Sequence, residues 1–187
     1  MKITGILLAA GRSSRFGSNK LLARLPEGEC IGIVAAGKLA RAVDKLLIII
    51  NQKEDLTDKM FVERGYETIE AKNAFLGMGN SLKSGILRSR DSFGWIIGLA
   101  DMPYIGNVVF DLVAKELCRG SKLVAPSYKG IRGHPVGFGS KLFRELASLK
   151  ESEGAASVFR KYHSEVVQIA TQDKGILQDV DYPTDIT

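Results

Sequence analysis

Apolar positions along this chain fall into short continuous runs, and between the runs they recur every three or four residues. Runs of the first kind read as strands buried on both faces, and stretches of the second kind as helices with one apolar side. Strands are predicted at ITGILLAA (Ile3–Ala10), KLLIII (Lys45–Ile50), YETIEA (Tyr66–Ala71), GWIIGLA (Gly94–Ala100), KLVAPSY (Lys122–Tyr128), SEVVQIA (Ser164–Ala170) and GILQDVD (Gly175–Asp181). GHPVGFG (Gly133–Gly139) reads as a loop running into a strand. Helices are predicted over Ile31–Val43, Leu56–Gly65, Asn80–Arg90, Asn107–Gly120, Ser140–Lys150 and Gly154–His163. Leu82, Ile86 and Leu87 share a face of the third, and Asn107 stands as the cap of the fourth, which glycine closes.

Strands alternating with helices predict an α/β sandwich, its mostly parallel sheet covered on both faces. No repeat, low-complexity tract or linker interrupts the pattern, so residues 1–187 are expected to form one domain. On such sheets ligands bind outside the carboxyl ends of the strands. The residues that follow each strand are therefore the ones to inspect.

After the first strand comes GRSSRFGSNK. Its glycines let backbone approach a ligand, successive N–H groups can face one anion, and Arg12, Arg15 and Lys20 add charge. The spacing is neither a Walker A loop nor GxGxxG, and a basic surface turn is the alternative. Asp101 directly ends the central strand and begins DMP, where it either holds a hard divalent cation or caps a turn. Asp181 ends the last predicted strand and could share that cation. Asp179, which can point to the opposite face of its strand, and Asp185, which can cap a turn, compete for the assignment. FLGMGNSL (Phe75–Leu82) leads into a helix, where Asn80 or Ser81 can cap or meet an anion. His134 has no Ser or Cys nucleophile beside it, so a triad is not supported, and His163 suits a helix end.

Composition excludes several classes. Hydrophobic residues are 45% and charged residues 25%, a globular balance, and LLIII is too short to span a bilayer. The net charge of +5 suits an anionic small molecule but is not gathered into an arm or stripe that would follow nucleic acid. Cys30 and Cys118 lack zinc-ligand spacing and read as reduced thiols of a cytoplasmic protein without a signal peptide.

LLAAGRSSRFGSNKLL resembles the signature loop of the MobA-like nucleotidyltransferases, roughly LAAGxSxRxGxxKLL. GMGNSLKSGI, GLADMPYI, RGHPVGFG and DVDYPTDI follow in that family's order, so the resemblance spans nearly the whole chain. GMGxSL, LADMP, GHPV and the AAG of the loop look like the branch that cytidylylates the molybdenum cofactor. Cys30 stands where that family commonly has proline, and Asn80 where serine is frequent.

The resemblance implies a Rossmann-like fold of the nucleotide-diphospho-sugar transferase type. It implies transfer of CMP from CTP onto the terminal phosphate of molybdenum-molybdopterin, with pyrophosphate released. By position, Leu8, Ala9, Ala10, Gly11, Ser13, Ser14, Arg15, Lys20, Gly79, Asn80 and Ser81 contact the nucleotide. Arg15, Lys20 and Asp101 carry the chemistry, Asp101 and Asp181 hold Mg²⁺ or Mn²⁺, and His134 lies near the acceptor. The expected partners are the two small-molecule substrates and a molybdoenzyme or its chaperone, with no nucleic acid or membrane, for a monomer or weak homodimer. A sugar or alditol phosphate acceptor, or GTP as donor, is the alternative. A dinucleotide-binding oxidoreductase would need GxGxxG, which is absent. A non-catalytic nucleotide sensor would not need both Asp101 and Lys20.

Overall fold

The computed structural model describes every residue except Arg12, Ser14 and residues 53–54, 72–76 and 151–153. Among the described residues eight strands form one mixed sheet. They are β1 (Ile3–Leu8), β2 (Lys45–Ile50), β3 (Glu67–Glu70), β4 (Gly94–Leu99), β5 (Leu123–Tyr128), β6 (Ile131–Arg132), β7 (Val136–Gly139) and β8 (Val166–Ala170). β3, β2, β1 and β4 run parallel side by side. β7 then pairs antiparallel with both β4 and β5. β6 takes the far end of the same β5 edge, and β8 runs parallel along the other edge.

The continuous apolar runs arise because both faces of each central strand are buried. Successive residues point to opposite faces. Ile48 and Ile50 of β2 and Ile96 of β4 thus join one core layer. Leu47, Ile49, Trp95 and Ile97 join the other. α1 (Ile31–Ala40), α2 (Leu56–Glu63) and α4 (Asn107–Cys118) cover the first face through Leu39, Phe61 and Val113. α3 (Met78–Arg88), α5 (Phe143–Ala147) and α6 (Ala156–Lys161) cover the second through Leu82, Leu146 and Phe159. α3 lies close on the sheet because Gly85 carries no Cβ: one built there would stand 2.9 Å from Ile6 Cγ2.

Four local expectations change. GILQDVD is not a strand: a 3₁₀ turn covers Lys174–Leu177, and Val180 donates its N–H to the Asp101 carbonyl at 2.8 Å. Its apolar residues Ile176 and Val180 are buried against the sheet without entering it. Gly106, not Asn107, is the cap residue of α4: its backbone is extended, φ −71° and ψ 145°, and its carbonyl accepts the Val109 N–H at 3.1 Å, while its own N–H goes to Asp173 Oδ2 at 2.7 Å. Leu87 is 49% exposed, since it follows Ile86 by one residue and leaves the Leu82–Ile86 stripe. The helices expected over Ser140–Lys150 and Gly154–His163 shorten to α5 and α6, the former preceded by a 3₁₀ turn at Ser140–Leu142.

Candidate active site

β1 and β4 are neighbours and end together, with Ala100 donating its N–H to the Leu8 carbonyl at 3.1 Å. The loop after β1 and the Asp101 turn after β4 therefore share one edge of the sheet. Between them lies a cleft of about 280 Å³. Leu8, Ala9, Ala10 and Gly11 form one wall, Ser13, Lys20 and Asp101 the charged end, and Gly77, Met78 and Ser81 the third side. Gly77, the cap residue of α3, has φ +143°, a backbone state that favours glycine.

The loop after β1 is shaped by its own polar groups. Ser13 adopts a left-handed conformation, φ +48°, and its Oγ accepts the Lys20 N–H at 3.2 Å. Asn19 caps the 3₁₀ turn Lys20–Leu22 by accepting the Leu21 N–H, and donates to Thr57 Oγ1 at 2.6 Å. Leu21 is buried beneath. These contacts aim the Lys20 side chain, only 9% exposed, at two carboxylates: Asp101 Oδ2 at 2.7 Å and Asp181 Oδ1 at 3.0 Å. Arg15, on the outer side, pairs with Asp181 Oδ2.

The electrostatics follow from these pairs. Burial alone would lower the Lys20 pKa, but hydrogen bonds and charge from Asp101 and Asp181 outweigh it and hold the ammonium above the usual lysine value. The hydrogen bond from Lys20 holds the Asp181 carboxyl below the usual carboxylate range, against a smaller opposing effect of burial. Both groups are ionised at neutral pH.

Asp101, Asp179 and Asp181 each offer an oxygen, and the three oxygens lie within 4.8 Å of one another. An all-carboxylate donor set of this kind suits a hard divalent cation, and Lys20 already occupies the cationic position beside two of the three. The residues therefore fit Mg²⁺ or Mn²⁺. Asp179, a competitor of Asp181 for the metal, joins it instead of replacing it, since its oxygen lies within 4.8 Å of those of both Asp101 and Asp181. Asp185 caps a turn, its Oδ2 accepting the N–H groups of Asp181 and Tyr182 at 2.9 and 2.7 Å.

His134 lines a second cleft of about 270 Å³, which shares Leu8, Met78 and Leu99 with the first. Its Nδ1 is buried and has no hydrogen-bond partner. Burial lowers its pKa, and the charge of Asp101 offsets this only in part. Of the residues expected at the nucleotide, Gly79 and Asn80 do not line the first cleft; Gly77 and Met78 take that place. Gly77 is the first glycine of GMG, so a glycine-rich entry to the helix was legible there, but its φ was not. Ser14 and Arg12 lie outside the described residues.

The arrangement is that of a transferase working on phosphate groups: a glycine-bearing loop, a lysine and a carboxylate cluster at the carboxyl ends of the neighbouring parallel strands β1 and β4. The chain belongs to the MobA-like NTP transferase domain family, whose model matches residues 5–166. It is 27% identical to the purine catabolism protein PucB of Bacillus subtilis (strain 168) over 192 residues, covering 97% of this chain and 92% of that protein. It is 32% identical over 102 residues to a probable molybdenum cofactor guanylyltransferase of Peptoclostridium acidaminophilum, covering 54% of this chain and 43% of that protein. The fold is similar to that of Rv0371c from Mycobacterium tuberculosis H37Rv, with TM-score 0.85, 22% identity and coverage of 99% and 96% of the two chains. A complex of that same protein with manganese has TM-score 0.73 at 22% identity and coverage of 91% and 89%. Among the described residues no helix is long and apolar enough to cross a membrane.

Proposed function

We propose that this nucleotidyltransferase moves CMP from CTP onto the terminal phosphate of molybdenum-loaded molybdopterin and releases pyrophosphate. The observation that carries the reading is the Lys20 ammonium bridging Asp101 and Asp181 at the mouth of the glycine-walled cleft. An oxygen of the acceptor phosphate attacks the α-phosphorus, the bond to the β-phosphate oxygen breaks, and pyrophosphate leaves with the electron pair. The acceptor phosphate is ionised near neutral pH, so no general base is needed.

Catalysis then rests on position and charge. The Leu8–Gly11 wall and Ser13 orient the triphosphate. Lys20 stabilises charge that builds on the leaving pyrophosphate. Arg15, with its forked guanidinium, meets phosphate oxygens in pairs as lysine cannot. Asp101, with Asp181 and Asp179, would hold Mg²⁺ or Mn²⁺, which when bound neutralises phosphate charge and polarises the reacting phosphoryl group. The manganese complex of the mycobacterial protein of similar fold supports a divalent ion of this class.

GTP as donor is the second reading, favoured by the relative described as a probable molybdenum cofactor guanylyltransferase. Pyrophosphate release from CTP and GTP, each with molybdenum-loaded molybdopterin and Mg²⁺ or Mn²⁺, tests both. CTP turnover well above GTP is expected. Preference for GTP transfers the assignment to guanylylation, and release from neither nucleotide overturns the acceptor.

A further inference from the structure

The carboxylate cluster is assembled from two stretches far apart in the chain. Asp101 stands on the turn after β4, while Asp179 and Asp181 stand in residues 178–182, which belong to no helix or strand. No strand ladder therefore sets the distance between the two, and carboxylate oxygens within 4.8 Å of one another repel. Lys20 bridges Asp101 and Asp181, but a divalent ion draws on the same oxygens, so the lysine cannot be what fixes their spacing for the ion. We propose that Asp185 and Tyr104 are positioning residues that fasten Asp181 beside Asp101 through hydrogen bonds, and so set the affinity of the cluster for a divalent cation. The proposal rests on the reading of the cluster as a metal site.

Consecutive N–H groups anchor the terminal segment. That of Val180 goes to the Asp101 carbonyl at 2.8 Å. Those of Asp181 and Tyr182 both go to one oxygen, Asp185 Oδ2, at 2.9 and 2.7 Å. The Asp185 carboxylate reaches back because Pro183, its φ fixed by the ring, opens the 3₁₀ turn Pro183–Asp185. The Asp185 N–H closes that turn on the Tyr182 carbonyl at 3.0 Å. The Asp181 side chain thus leaves a backbone held on either side.

Tyr104 ties this turn to the other half of the cluster. It lies on the same connection between β4 and α4 as Asp101, and its ring packs against the first core layer. Its hydroxyl donates to the Asp185 carbonyl at 3.1 Å and accepts the Thr187 N–H at 2.9 Å. A closed circuit runs from Asp101 through Val180 and Asp181 to Asp185, and back through Tyr104. With either link opened, Asp181 can swing away from Asp101. Asp185 itself stands outside the group of converging oxygens, and its Oδ2 is already committed to two N–H groups, so it acts through Asp181 and not as a ligand.

The test is Mn²⁺ binding to the full chain without nucleotide, read from the free-ion paramagnetic resonance signal, beside urea unfolding of the metal-free protein. Asp185→Ala should weaken Mn²⁺ binding about 10- to 100-fold, the range for loss of a group that orients a metal ligand. Asp185→Asn should recover most of that loss, because its amide oxygen can accept the same two N–H groups without the charge. Tyr104→Phe, which keeps the ring in the core, should weaken binding in the same direction while unfolding stays cooperative, and it carries the test if Asp185→Ala does not fold. An Asn variant as weak as the Ala variant would make the charge of Asp185 the active feature and overturn the positioning role. Wild-type affinity in both Asp185→Ala and Tyr104→Phe would overturn it as well. A wild-type chain that binds no Mn²⁺ overturns the metal reading beneath it.

Discussion

Lys20 Nζ stands 2.7 Å from Asp101 Oδ2, so a lysine and the carboxylate assigned to the metal are bound to each other. The ammonium and a divalent cation draw on the same oxygens. Lys20→Met should therefore bind Mn²⁺ more tightly than the wild type in the absence of nucleotide, read by titration of the free-ion paramagnetic resonance signal. Turnover should nevertheless fall about 100- to 1,000-fold, the range for loss of one preorganised charge-stabilising group. Unchanged kcat and KM would remove Lys20 from the phosphate role.

Asp101 and Asp181 are joined through Lys20, but the backbone also sets their distance, because Val180 donates to the Asp101 carbonyl at 2.8 Å. Asp101→Asn is expected to abolish Mg²⁺-dependent turnover while its thermal unfolding stays near the wild-type value, since the side chain is partly exposed. Asp181→Asn should cost more Mn²⁺ affinity than Asp179→Asn, since Asp181 is the one held in place by both Lys20 and Arg15. Equal affinities for all three variants and the wild type would mean that the cluster binds no metal.

The fold was legible wherever burial was two-sided. KLLIII reads as strand because every residue from Leu47 to Ile50 is covered by one helical layer or the other. The site was legible where strand ends and charge coincide, at Lys20 and Asp101. What escaped depends on contacts distant in sequence. Nothing in GILQDVD announces that Asp173 pulls Gly106 and Gly175 together, its oxygens accepting their N–H groups at 2.7 and 2.8 Å, and so lays the segment across the sheet edge. Arg132 and Phe159 lie in an exposed two-residue strand and a six-residue helix, and only the folded chain makes them one wall.

Glycines at the site should separate stability from function. A Cβ at Gly175 would lie 2.4 Å from the Tyr104 carbonyl oxygen, and one at Gly133 would lie 2.2 Å from that of Ile176. Both neighbours are backbone and cannot swing aside. Gly175→Ala and Gly133→Ala should each destabilise by at least about 3 kcal/mol or prevent folding, by the overpacking mechanism. A Cβ at Gly11 would meet nothing within 4 Å, yet Gly11 lines the cleft proposed to take the nucleotide. Gly11→Ala should change unfolding free energy by no more than about 0.5 kcal/mol while raising KM for the nucleotide. Denaturant titration beside steady-state kinetics reads both quantities, and a Gly175→Ala protein as stable as wild type would contradict the packing described for the 173–181 segment.

His134 should make stability fall on mild acidification. Burial disfavours its charged form; Asp101, the Ile97 backbone and Asp179 favour that form, Arg132 opposes it, and the balance leaves the pKa below the ordinary 6.5. With the folded value depressed, the unfolded chain binds more protons between that value and 6.5. Stability is then complete above about pH 6.5, falls as pH drops through 6.5, and levels off below the folded pKa. Urea unfolding of the metal-free chain at pH 7.5 and 5.5 measures the effect. The wild type should lose about 1 kcal/mol more over that interval than His134→Asn, in which the titrating ring is gone while a polar side chain remains. The lowered pKa values of Glu29, Glu145 and Asp181 act in the same direction, but at lower pH and in both proteins, so they cancel in the comparison. Parallel pH dependence in the two proteins would mean that the imidazole is solvated where the fold encloses it.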